Sequence, residues 1–192
     1  QTGKTWALLQ AFSRLRKDKT LDVISIGVET MKMEEDIAKI LNYIGKHIAR
    51  SLNKKAKKLD SPEDFEDLFS KESLEKPLIL IIDEFDDLSE KAIAAIVGCF
   101  RNIYNMRQRD SEKSTGEKDY LLHSVALIGV RSVLGVENLK GSPFNVQRSV
   151  HIPNLTFEEV ESMFRWHERE SEQTIEQDVI ERLYYETKGQ PG

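Results

Sequence analysis

The 192-residue chain is 39% hydrophobic and 32% charged, with 28 Lys and Arg against 33 Asp and Glu for a net charge of −5. That balance excludes a disordered chain, supplies no global drive toward nucleic acid, and suits one domain with a real core, or one domain and the start of a second. No apolar run approaches the roughly 18 residues that span a bilayer, and the single cysteine, Cys99, forms no internal disulfide, so a reducing cytoplasm is the simplest setting.

Residues 1–5 read as a loop and 6–17 as the helix it opens, with Ala7, Leu8, Ala11, Phe12 and Leu15 recurring on one face. A short strand is predicted over 23–28. A long amphipathic helix follows over 33–51, with Ile37, Ile40, Leu41, Ile44 and Ile48 on one side and a lysine-rich tail, 53–58, after it. Ser61-Pro62-Glu63 has the form of a helix start, with proline in the first turn, and the helix is expected to continue through 64–69. Pro77 then opens the apolar run Leu78-Ile79-Leu80-Ile81-Ile82-Asp83, of strand length and suited to burial on both faces. A second long helix is expected over 89–108 with Ser89 as its N-cap. The polar stretch 109–119 is the best candidate for a mobile loop. Strands are predicted at 125–130 and 149–152, and helices at 156–170 and 174–188, the last ended by Gly189. Strands alternating with helices imply an α/β fold with right-handed crossovers, and the purely helical segment after Pro153 implies a small lid.

Two motifs carry chemistry. Gln1-Thr2-Gly3-Lys4-Thr5 matches the second half of a phosphate-binding loop, G-x-x-x-x-G-K-[ST], whose first glycine would precede Gln1. Gly3 lets the backbone come close to a phosphate. The amides of Gln1, Thr2 and Gly3, with those of Lys4, Thr5 and Trp6 at the helix start, face the anion along the helix dipole. Lys4 would meet the β- and γ-phosphates, and the Thr5 hydroxyl would ligate Mg²⁺. So short a pattern also arises by chance, but an amphipathic helix begins where the motif needs one.

The second motif is the strand 78–82 ending in Asp83-Glu84, the Walker B arrangement. Asp83 would hold the Mg²⁺ shell, and Glu84 would orient and deprotonate an attacking water. The competing reading, acids that merely favour the N-terminus of the next helix, is assigned to Asp86 and Asp87. A GTPase would need Asn-Lys-x-Asp, and the nearest string, Asn53-Lys54-Lys55-Ala56, ends in alanine. A small-molecule kinase need not carry the acid pair, so water is the expected phosphoryl acceptor.

Together these motifs give a chain that resembles AAA+ P-loop ATPases, and within them the STAND type and nearby bacterial AAA-like domains. The resemblance implies a parallel sheet of order 5-1-4-3-2, with its first strand not in the chain, flanked by helices. It places the α/β core at 1–152 and the start of a helical lid at 153–192, and it implies ATP and Mg²⁺ as ligands. In Ala126-Leu127-Ile128-Gly129-Val130-Arg131-Ser132 it points to Arg131 as a γ-phosphate sensor, where the plain alternative is a charged residue leaving a strand. It makes Arg148 a finger toward a neighbouring subunit's nucleotide, against a surface or locally paired arginine. It sets Pro191 of Gly189-Gln190-Pro191 near adenine, against a simple helix stop. A sheet lacking its middle strand leaves backbone groups unpaired, so the natural polypeptide is expected to extend upstream, and downstream as well.

The expected activity is ATP binding and Mg²⁺-dependent hydrolysis that moves attached domains, in a protein that could assemble as a homo-oligomer. A nucleotide-gated switch with little turnover and a nucleic-acid remodelling ATPase are the alternatives. Lys54, Lys55, Lys57 and Lys58 lend the latter weak support, since a solvated helix end explains them as well. His123, His151 and His167 lack metal-ligand spacing. Met163, Phe164 and Trp166 read as lid core or a docking surface, and Cys99 as buried and inert.

Overall fold

The computed structural model describes residues 4–129 and 153–190, with residues 4–7 described by their backbone alone. The chain divides into two compact units, residues 11–147 and residues 1–10 together with 148–192. Helix α1, Lys4–Leu15, crosses the boundary between them. It begins two residues before the expected start, so Lys4 and Thr5 form its first turn.

The larger unit is built on three parallel strands in the order β1 (Asp22–Gly27), β2 (Leu78–Asp83) and β3 (Leu122–Leu127). β1 lies beside β2 in unbroken register, Asp22 opposite Leu78 and Gly27 opposite Asp83. β3 runs along the other side of β2, with one irregularity at Leu78 and Ile79. The parallel α/β character and the central apolar strand are as expected, and β2 has the expected limits. β3 starts three residues earlier than predicted. His123 and Ser124 are polar and exposed, which hid the start of the strand from a search for apolar runs. Only Leu122 of β3 is buried, whereas β2 is covered on both faces.

The helices of this unit follow from caps and periodicity. α2 (Ile37–Ser51) turns Ile40, Leu41, Ile44 and Ile48 inward. It starts four residues later than predicted, because Asp36 accepts a hydrogen bond from the Lys39 amide (3.3 Å) as N-cap and Met33 takes a left-handed backbone. α3 (Pro62–Asp67) has the expected proline start, closed by a reciprocal capping box between Ser61 and Asp64. It ends two residues early, so Phe69 enters the core from a turn. α4 (Glu90–Arg109) is capped by Ser89 as expected. Phe65, Phe69 and Phe100 join α3 and the turn after it to α4 through edge-on and tilted rings 5.3–6.0 Å apart.

Beneath this cluster Glu66 is buried and accepts a hydrogen bond from Asn102 (3.0 Å). Burial lifts its carboxyl above the usual range. The nearby Cys99 thiol is pushed up to about 12, by burial first and the Glu66 charge second, which makes it the inert thiol expected.

The stretch 109–119, read as mobile, is laced to its surroundings. Asp119 pairs with Lys71 (3.0 Å) and Lys113 (3.3 Å), and Lys113 with Asp110 (2.9 Å). Lys118 donates to the Arg107 carbonyl (2.8 Å), and the Arg107 guanidinium to the Tyr120 carbonyl. The Asp119 pairs stay exposed at the surface, and Lys71 ties the stretch to a segment 48 positions away.

In the smaller unit, α5 (Phe157–Ser171) begins with a capping box between Thr156 and Glu159 and packs Phe157 edge-on against Tyr184 of α6 (Gln177–Thr187) at 5.4 Å. α6 starts three residues later than predicted. Arg165 donates to the Ile175 carbonyl (3.1 Å), which a longer α6 would have used, and Glu168 accepts the Ile175 amide (2.7 Å), so α5 side chains satisfy both groups. Gly189, at φ 72°, ends the unit's last turn, and its carbonyl accepts the Leu155 amide (2.9 Å). Phe164 is half-buried, while Met163 and Trp166 stay exposed. Among the described residues no helix is long and apolar enough to cross a membrane.

Candidate functional site

The buried strand β2 delivers Asp83 to its C-terminal tip. One Asp83 carboxylate oxygen accepts the backbone N–H of Glu84 (3.0 Å), which aims the aspartate back over its own chain. Glu84 then takes a left-handed backbone, φ 54° and ψ 34°, a conformation that L-residues enter at a cost. That reversal turns the chain out of the sheet and into a single tight helical turn, Phe85–Asp87. Phe85 is fully buried and its amide donates to the Ile128 carbonyl just past β3 (2.8 Å). The turn is thereby anchored to the neighbouring strand's exit, with Leu88 and the Ser89 cap of α4 behind it.

On the other side, Gly27 ends β1 opposite Asp83, and its carbonyl accepts the Tyr43 hydroxyl (3.1 Å). The Val28 amide donates to the Asp83 carbonyl (3.2 Å), which continues the pairing one step past the strands. A Cβ built on Gly27 would meet a Glu29 carboxylate oxygen at 2.4 Å, so Glu29 folds back over the glycine. Lys32 closes the loop after β1 by donating to Asp87 (2.7 Å).

These strand ends enclose an open recess of about 650 Å³, lined by Ser25, Gly27, Glu29, Lys32, Asp83, Glu84 and Asp87. Its walls are largely polar. Four carboxylates and one ammonium line it, and it lies at the C-terminal strand edge where α/β sheets bind ligands. Among the described residues no three His, Cys, Asp or Glu side chains form a metal-binding cluster.

Of the residues selected from sequence, Asp83 and Glu84 are brought together at this recess. Lys4 and Thr5 open α1 and belong to the other compact unit; Trp6 follows them in its first turn. Gln1, Thr2, Gly3, Arg131, Arg148 and Pro191 lie outside the described residues, as does the strand expected at 149–152. Asp86 and Asp87, read as acids favouring the N-terminus of the following helix, precede α4 by a separate helical turn, and the first turn of α4 carries Glu90. Of the lysine cluster, which lies past the end of α2, Lys54 is paired with Glu75 (3.2 Å) and Lys58 with Asp60 (2.5 Å). Ser25, Glu29 and Lys32 went unselected by sequence reasoning. They stand more than 50 positions before the acid pair, and only the parallel register of β1 on β2 makes them its neighbours.

No family model and no curated protein matches the chain. Among solved structures, the fold is similar to that of the crystal structure of Cdc6p from Pyrobaculum aerophilum. The TM-score is 0.61 at 16% sequence identity, over 93% of this chain and 44% of that one. The chain thus spans less than half the length of the Cdc6p chain it matches. The likeness is one of fold and supports the parallel α/β architecture of this chain.

Proposed function

We propose that the chain is the nucleotide-handling part of a STAND-like AAA+ ATPase, and that it binds ATP with Mg²⁺ and cleaves the β–γ phosphoanhydride with water. The observation that carries this reading is the pair Asp83 and Glu84 at the tip of the most deeply buried of the described strands, opening on a polar recess.

In this reading the Gly3-Lys4-Thr5 loop cradles the phosphates, with the amides of Gln1, Thr2 and Trp6 around it and Lys4 on the β- and γ-oxygens. Thr5 and Asp83 are the hard oxygen donors that would hold Mg²⁺, which takes one or two carboxylates beside phosphate and water ligands. When bound, the ion neutralises charge on the transferring phosphoryl group. Glu84 accepts a proton from the attacking water as its oxygen bonds to the γ-phosphorus and the β–γ bridging bond breaks. Arg131 reads the γ-phosphate, Arg148 reaches a neighbouring subunit, and Pro191 closes the lid residues 153–192 on the base.

The test is phosphate release and calorimetric ATP binding on the full-length protein. Glu84→Gln should lower turnover by roughly 100- to 10,000-fold while ATP still binds. Lys4→Ala should abolish most binding without unfolding the protein. Equal turnover in wild type and Glu84→Gln removes the catalytic assignment, and undiminished binding by Lys4→Ala removes the phosphate-loop assignment.

A further inference from the structure

The turn that carries Glu84 out of the sheet is held from both flanks. On the β3 side, the Phe85 amide donates to the Ile128 carbonyl (2.8 Å). The Gly129 backbone lies flush against Asp86 there, so that a Cβ built on Gly129 would meet an Asp86 carboxylate oxygen at 2.4 Å. On the β1 side, Lys32 reaches the turn across the recess, and its ammonium sits 2.7 Å from Asp87. Lys32 is 60% exposed and Asp87 21%, so the pair stands at the recess mouth with its acid end sheltered. The two residues are 55 positions apart; the register of β1 on β2 brings their loops to one edge, and the ion pair then joins them directly.

We propose that Lys32 is a positioning residue for Glu84. By drawing Asp87 toward the loop after β1, its ammonium holds the turn Phe85–Asp87 against the recess and keeps the preceding Glu84 in its left-handed conformation at the recess wall. The inference rests on the ATPase reading for its catalytic consequence, and on the geometry alone for its conformational one. An ion pair of this exposure is worth at most about a fivefold change in an equilibrium, so the clamp biases the turn without being needed for folding.

The experiment compares Lys32→Met, Lys32→Arg and the charge swap Lys32→Asp with Asp87→Lys in the full-length protein. It reads amide hydrogen exchange across residues 84–88 together with kcat and KM for ATP. Lys32→Met should speed exchange and lower kcat by about two- to fivefold with KM little changed; Lys32→Arg should restore both, and the charge swap should recover part of each. Unchanged exchange in Lys32→Met overturns the clamp. So does a raised KM at constant kcat, which would make Lys32 a nucleotide contact, or an arginine variant as impaired as the methionine one. If the wild-type protein shows no ATP turnover the ATPase reading fails, while the exchange rates still decide whether Lys32 holds the turn.

Discussion

Glu84 allows the backbone and the carboxylate to be separated by two substitutions at one position. At φ 54° and ψ 34° its Cβ crowds its own carbonyl, which costs roughly 1–2 kcal/mol for an L-residue. Glu84→Ala and Glu84→Gly remove the same carboxylate, and the Glu84 amide that donates to Asp83 survives in both. Only glycine escapes the crowding. Against that gain stands the larger chain entropy glycine loses on folding, about 0.5–1 kcal/mol. The glycine variant should therefore be more stable than the alanine variant by about 0.5–1 kcal/mol, or about 1–4 °C in melting temperature. Both should lose turnover alike. Urea denaturation and phosphate release on matched preparations make the comparison. An alanine variant as stable as the glycine variant would show that the backbone at residue 84 is relaxed; retained turnover in either would show that Glu84 is not the base.

Phe65 is fully buried against Phe69 and Phe100, and Phe65→Ala should cost about 3–5 kcal/mol of unfolding free energy in urea. In the smaller unit, Gly189→Ala would place a Cβ 1.9 Å from the Leu155 carbonyl oxygen at a positive φ; amide exchange at Leu155 and along α6 should rise, and unchanged protection there would refute the packing argument. Glu66 is an acid whose folded carboxyl is raised by burial, so the folded state binds its proton more tightly than the unfolded chain. Its contribution to stability is present below the ordinary value of 4.5 and is lost as pH rises through the raised value. Glu66→Gln keeps an acceptor for Asn102 and removes the charge, so it should be more stable than wild type at pH 7 and equal to it near pH 4; denaturation midpoints at the two values check this, and a wild type more stable at pH 7 would reverse the sign.

What the chain order alone determined is whatever depends on near neighbours. Helix caps at Ser61, Ser89 and Thr156 act within three residues, so Pro62–Asp67, Glu90–Arg109 and Phe157–Ser171 could be read almost to their ends. The run Leu78–Asp83 announced a strand buried on both faces, because no amphipathic surface would carry five consecutive apolar side chains. The acid pair was readable for the same reason, since its position at a strand tip is a local fact. Where a side chain from another element replaces a backbone bond, local reading overshot, as at the start of α6, where Glu168 and Arg165 satisfy Ile175.

Only the tertiary structure decided what surrounds the acids. Ile128 reaches Phe85, Lys32 reaches Asp87, and Glu29 shares the recess with Asp83 because parallel strands bring distant loops to one edge. The register of β1 on β2 and of β2 on β3 sets those distances. Register follows from matching whole apolar faces against one another, a property that no segment of the sequence holds by itself.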